Sequence, residues 1–157
     1  MLAMLILCIF LGLSCPTQAL AQNAKECTMR FTVADWAYEV RDEGDYDPNP
    51  SGIFSRGERG YAYLEIEGFG VGQRENLFYL LLNVDVALET RNGLRLFSQK
   101  DVLELEEWYF EEPRSTWFYI WVDIPWWAPK GVYRTLITVR DGVAETSLEE
   151  VREICVN

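Results

Sequence analysis

The chain has 157 residues, a formal net charge of −11, no histidine and an aromatic content of 14%. The missing histidine removes the commonest general base and metal ligand, and with it serine triads, His-assisted cysteine nucleophiles and ordinary zinc sites. A surface this acidic repels nucleic acid and anionic lipid, so neither is expected as a partner.

Met1 to Ser14 is almost wholly apolar, and no charged side chain precedes Lys25. A core this short cannot span a bilayer at about 1.5 Å of rise per residue. With the small-x-small run Ala19-Leu20-Ala21 behind it, the segment predicts a secretory signal peptide over 1–21, cleaved after Ala21. It lacks the usual Lys or Arg at its start. The rival reading is a lipoprotein anchor on Cys15, opposed by Gly12 three positions before the cysteine and Pro16 directly after it. The expected product is one secreted or periplasmic domain over 22–157, long enough for a real core and with no membrane span.

Cys8 and Cys15 fall in the signal, which leaves Cys27 and Cys155 near the two ends of the domain. In an oxidising compartment such a pair predicts a disulfide. Closing so long a loop contributes about 4–5 kcal/mol in the chain-entropy model. It also requires the first and last strands to end close together.

Period-two alternation and aromatic, β-branched composition predict strands throughout. The first covers Cys27 to Val33 and is extended through Trp36 to Val40. A polar loop, Arg41 to Gly60, contains Asp47-Pro48-Asn49-Pro50. Tyr61 to Glu67 is the next strand, and Leu77 to Thr90 is the longest, with Phe78, Leu80, Leu82, Val84, Val86 and Leu88 on one face. Asn92-Gly93 predicts a type I′ hairpin that sets Leu88 opposite Phe97 on the core side. Asp101 to Glu112 fits an edge strand or a short helix. Thr116 to Asp123 and Val132 to Arg140 follow, and Asp141-Gly142 predicts a tight hairpin into Val143 to Val156 with Arg134 opposite Glu149. The expected fold is all-β: an antiparallel two-sheet sandwich of about seven strands.

Ala128-Pro129-Lys130-Gly131-Val132-Tyr133, leading into Thr135, Ile137 and Val139 and leaving through Asp141-Gly142, resembles the penultimate strand of bacterial secreted immunoglobulin-like or fibronectin-type modules. Phe54-Ser55-Arg56-Gly57-Glu58 is similar to the turn ahead of their second strand. The resemblance covers about half of the domain and implies a scaffold or adhesive role, not an activity. The central cysteine pair around a core tryptophan that marks antibody domains is absent from the pattern.

No nucleophile elbow, phosphate-binding loop or dinucleotide fingerprint occurs, and no carboxylate pair is singled out by spacing for glycoside hydrolysis. An enzyme is therefore not expected. Asp45, Asp47 and Asn49 have the alternate spacing of calcium ligands. However, Pro50 replaces the turn glycine and Arg56 stands at the bidentate glutamate position, so a solvated loop is the competing reading, and no other cofactor is indicated.

The aromatic residues carry the remaining signal. In Thr116 to Asp123, Phe118, Ile120 and Val122 share one face, and Trp117, Tyr119 and Trp121 share the other. Ala62, Leu64 and Ile66 likewise alternate with Tyr61 and Tyr63. In an immunoglobulin-type arrangement the second and fifth strands pair, which gathers Tyr61, Tyr63, Trp117, Tyr119 and Trp121 on one outer face, with Trp126 and Trp127 in the loop beyond. Several bare rings exceed what a monomer usually exposes. The cover is expected to be the Asp101 to Glu112 segment, with Trp108, Tyr109 and Phe110, or else a protein partner, a second copy of the chain, or a sugar. The sequence thus predicts a non-enzymatic binding or structural module making protein contact through this face, with a carbohydrate-binding module as the alternative.

Overall fold

The computed structural model describes residues 28–157. The expected signal segment 1–21, its cleavage point, the Cys15 anchor and Cys27 lie outside the described residues. Ten strands and no helix occur among those described: β1 (Arg30–Asp42), β2 (Asp45–Pro48), β3 (Ile53–Phe54), β4 (Arg59–Glu67), β5 (Gly72–Arg74), β6 (Leu77–Thr90), β7 (Arg95–Tyr109), β8 (Ser115–Asp123), β9 (Gly131–Asp141) and β10 (Thr146–Val156). Seven of them, β1, β4 and β6 to β10, have nine residues or more and carry the fold.

They form two sheets. One has the order β2-β1-β4-β8; the other runs β3-β10-β9-β6, with β5 and β7 also paired to β6. Period-two alternation explains the layering, because every second residue of each long strand points between the sheets. Leu64, Ile66, Phe118 and Ile120 come from one sheet and meet Leu80, Leu82, Ile137 and Val139 from the other. Trp36 of β1 also lies in this core at 5% exposure, edge-on to Phe54 and donating its indole N–H to the Glu153 carbonyl at 2.7 Å.

Several expectations meet corrections. The polar loop Arg41 to Gly60 contains β2 and β3, which are too short to show alternation. Of the two readings of Asp101 to Glu112, the edge strand holds, over Asp101 to Tyr109, the second half of β7. The β6–β7 pairing does set Leu88 opposite Phe97, but on the sheet's edge strand Phe97 is 49% exposed. Nor is the turn type I′: only Gly93 takes a positive φ, +83°. Gly93 N donates to Thr90 O and Thr90 N to Leu94 O, both at 2.9 Å. A type I turn followed by a left-handed glycine bulge has this pattern.

The β9–β10 connection is looser than expected. Arg134 faces Glu153, not Glu149, a shift of four residues that preserves which side chains face the core. The reason is Asp141, which is 3% exposed; its carboxylate accepts from Val143 N at 2.8 Å, Ala144 N at 2.9 Å and Gly70 N at 2.5 Å. A buried carboxylate satisfied by three backbone donors holds a wider loop than Asp-Gly alone dictates.

The terminal disulfide finds no support. No cysteine pair is present among the described residues; Cys155 is half-buried on β10. It sits opposite Val132 and Ile53 near one end of the sandwich. Thr28, the first described residue, lies against Gly68 at the other end.

An aromatic outer sheet face as the candidate functional site

β4 and β8 pair without a register break, setting Tyr61 opposite Trp121, Tyr63 opposite Tyr119 and Glu65 opposite Trp117. Because opposite residues share a face, the five rings expected together are brought together on the outer side of the four-stranded sheet. Their inner partners, Ala62, Leu64, Phe118 and Ile120, are buried in the core. Trp126 and Trp127 are not part of this face; they stand 78% and 66% exposed in the loop after β8.

The rings form a connected series. Tyr46 of β2 stacks on Tyr63 at 4.2 Å between centroids, Tyr63 on Trp117 at 5.8 Å, and Trp117 on Tyr119 at 6.5 Å. Tyr119 then meets Trp121 at 6.2 Å and Tyr61 at 6.0 Å. The Arg59 guanidinium closes the series, 5.6 Å from the centroid of Trp121. It is held there by Asp123, with Nε–Oδ1 of 2.6 Å and Nη2–Oδ2 of 3.0 Å. Those hydrogen bonds keep the Asp123 carboxyl below the usual carboxylate range.

Exposure rises across the face. Tyr63 is fully buried, while Tyr119 is 38% and Trp121 57% exposed, with Tyr61 and Trp117 half-buried between them. The expected cover is absent: Asp101 to Tyr109 pairs with β6 in the other sheet. The cover over Tyr63 comes instead from the β1–β2 turn. Its hydroxyl accepts from Gly44 N at 2.8 Å and donates to Glu65 Oε1 at 2.7 Å. Burial, with that glutamate beside it, pushes the Tyr63 hydroxyl up to about 12. Sequence reasoning missed Tyr46 and Gly44 because they lie in the segment read as a loop.

The oxygens considered for calcium are engaged by side chains of the protein itself. Arg41 lies between Asp45 and Asp47, with Nη2 at 2.7 Å and 3.1 Å from their Oδ1 atoms, and its hydrogen bonds hold both carboxyls below their usual range. Asn49 is buried, its amide donating to Ile53 O at 2.9 Å and its Oδ1 accepting from Ser51 at 2.6 Å.

No family model matches the sequence, and no curated protein does. Among solved structures, the C-terminal domain of Wzt superposes with a TM-score of 0.51 at 11% identity, over 82% of this chain and 73% of that one. An immunoglobulin-like protein from Pseudomonas aeruginosa aligns at 12% identity over 84% of this chain and 98% of its own, with a TM-score of 0.41. A family 123 glycoside hydrolase from Clostridium perfringens aligns at 11% identity and a TM-score of 0.45, and the chain spans 22% of it.

Counted over the long strands, the first, second and fifth share one sheet, and the third, fourth, sixth and seventh share the other. At the start of the sixth, β9, Tyr133 donates its hydroxyl to the Pro129 carbonyl at 2.8 Å. A tyrosine reaching back to the upstream backbone at this corner marks the immunoglobulin sandwich. The fold is immunoglobulin-like. It departs from antibody domains in two places: Thr135 stands where the second cysteine would fall, and the core tryptophan comes from the first strand, not the third.

Proposed function

We propose that this immunoglobulin-like sandwich is an exported, non-enzymatic binding module that engages a protein through the outer face of β4 and β8. The observation that carries the reading is the outward row Trp117, Tyr119 and Trp121, ending on a tryptophan that is 57% exposed. Tyr and Trp provide large contact area at low entropic cost and concentrate at the centres of protein interfaces. Each ring is flanked by another ring or by Arg59. Neighbouring rings and a guanidinium thus share the surface, a mixed relief that suits protein side chains better than a sugar stacked on one isolated flat ring. A non-catalytic role accords with the histidine-free sequence and with shallow depressions of about 140 and 240 Å³, below the usual size of small-molecule sites. Among the described residues no helix is long and apolar enough to cross a membrane.

A carbohydrate-binding role is favoured at one other place. Trp126 and Trp127 are the two most exposed tryptophans on the chain's described surface. The experiment that separates the readings compares the wild type with Trp121→Ala and with a Trp126→Ala/Trp127→Ala double variant. On the protein reading, Trp121→Ala keeps its melting temperature within about 2 °C and loses at least about tenfold in capture of exported proteins, the size expected of an interface anchor. A glycan panel leaves tryptophan emission unchanged. An emission shift with a glycan, abolished in the double variant, would replace this reading with the carbohydrate one.

A further inference from the structure

The sandwich has four sheet edges, and three are blunted. β2 is four residues long, ends in Pro48 and pairs with β1 through register shifts. β3 has two residues. β7 is long, but its register with β6 breaks between Val84 and Val86, where Asp101 takes a φ of +53°. That break is fastened: Asp101 N donates to Asp85 Oδ1 at 2.9 Å, and Arg140 Nη2 binds Asp85 and Asp101 at 2.9 and 2.5 Å. Short strands, prolines and bulges are the devices by which sheets avoid pairing with other chains.

β8 has none of them. It runs nine residues, Ser115 to Asp123, without proline, lysine, arginine or register break, and among the described residues it pairs with β4 alone. Its far side therefore presents unpaired backbone donors and acceptors along an extended strand.

We propose that this edge pairs antiparallel with the same edge of a second copy, Tyr119 lying on the two-fold axis. The strand is self-complementary in that register. Trp117 falls opposite Trp121 of the copy, and Tyr119 opposite its own equivalent. On the inner face Phe118 meets Ile120, and Thr116 meets Val122. No like charges meet: Asp123, the one charged residue of β8, falls opposite Ser115. The row across both copies then reads Arg59, Asp123, Ser115, Glu67, because β4 sets Arg59 beside Asp123 and Glu67 beside Ser115. Cross-strand aromatic pairs of this kind stabilise antiparallel pairing, and a closed two-fold contact satisfies both edges at once. The two four-stranded sheets become continuous, and the two aromatic faces form one. The contact is worked by the backbone edge, so it stands whether or not the face also binds another protein.

Sedimentation of the purified protein reads the prediction directly. The chain is a monomer when dilute and a dimer at about 100 µM, above the micromolar dissociation constant that a contact of this small size supports. With a charge of −11 on each copy, dimerisation tightens as salt rises and screens the repulsion. Tyr119→Lys, which sets two ammonium groups face to face, weakens the dimer at least tenfold, with the β circular dichroism spectrum retained. Cysteine variants fix the register. Under mild oxidation Tyr119→Cys forms a covalent dimer, since opposite residues lie about 5 Å apart. Trp121→Cys does not, because it is displaced from its own equivalent by four residues, roughly 13 Å. Persistence of the monomer at high concentration, or equal cross-linking from both positions, overturns the proposal. Undiminished protein capture by Trp121→Ala, with the dimer intact, would instead sink the reading of the face and leave this one standing.

Discussion

Trp117 and Trp121 lie four residues apart on one face of one strand and differ in what they do. Trp117 stacks on the fully buried Tyr63, whereas Trp121 ends the row beneath Arg59. Trp117→Ala should therefore lower the melting temperature by several degrees, at about 2–4 °C per kcal/mol for a domain of this size, while Trp121→Ala leaves it nearly unchanged. Thermal melts of the two variants test the distinction. Tyr63 makes a second prediction. Its hydroxyl is protonated in the fold and pushed up to about 12 from an ordinary value of 10.0. A raised folded value means that its stabilisation is complete below pH 10 and is lost as the pH rises toward 12. Tyr63→Phe removes this alkaline loss but leaves Gly44 N without its acceptor, at about 1–2 kcal/mol. Denaturant melts at neutral and alkaline pH separate the two effects.

At the scale of the strand, most of the fold was legible. Leu77 to Thr90 and Thr116 to Asp123 are long enough for alternation to fix both existence and facing, and both hold in the structure. Pairing of β4 with β8 also follows the sequence expectation in the strands it joins and the rings it gathers, since each strand carries one apolar and one aromatic face; the register itself was not legible. Illegible were features set by contacts distant in sequence. β2 and β3 are two to four residues long and have no period to read. The wide β9–β10 loop depends on Asp141 reaching the amide of Gly70, 71 residues away in sequence. Asp141→Ala strips the carboxylate from three amides; a loss of about 2–4 kcal/mol is expected, with Asp141→Asn milder, in urea melts. The bulge of β7 is likewise held by partners from β6 and β9. Burial works against the charge on Asp85, but Arg140 and the Asp101 amide outweigh it and keep its carboxyl below the ordinary range. A depressed value stabilises above the ordinary carboxylate range and is lost as the pH falls through the folded value. Asp85→Asn should flatten the acid limb of the stability profile measured between pH 2 and pH 6.

Taken whole, the sandwich sorts its chemistry by location. The β1–β2 corner is saturated with internal partners: Arg41 takes Asp45 and Asp47, and Tyr46 donates to Asp35 at 2.9 Å. Calcium titration should therefore give no heat by calorimetry, and Arg41→Ala should permit at most weak, salt-sensitive binding. The opposite side of the same sheet, at β8, has its rings and its backbone edge open. The sequence could place the rings on one face, but it could not tell which of them the chain itself covers, because that depends on where a turn nineteen residues before Tyr63 comes to rest. The ends of the described chain also have a mechanical meaning. Thr28 lies beside Gly68 at one pole, and Asn157 donates its amide to Phe54 at the other. A pull applied through them runs along the strands, so the β1–β4 ladder is loaded in shear and its rungs must give way together, not one at a time. Force along the long axis is therefore resisted more strongly than force that peels the sheets apart strand by strand.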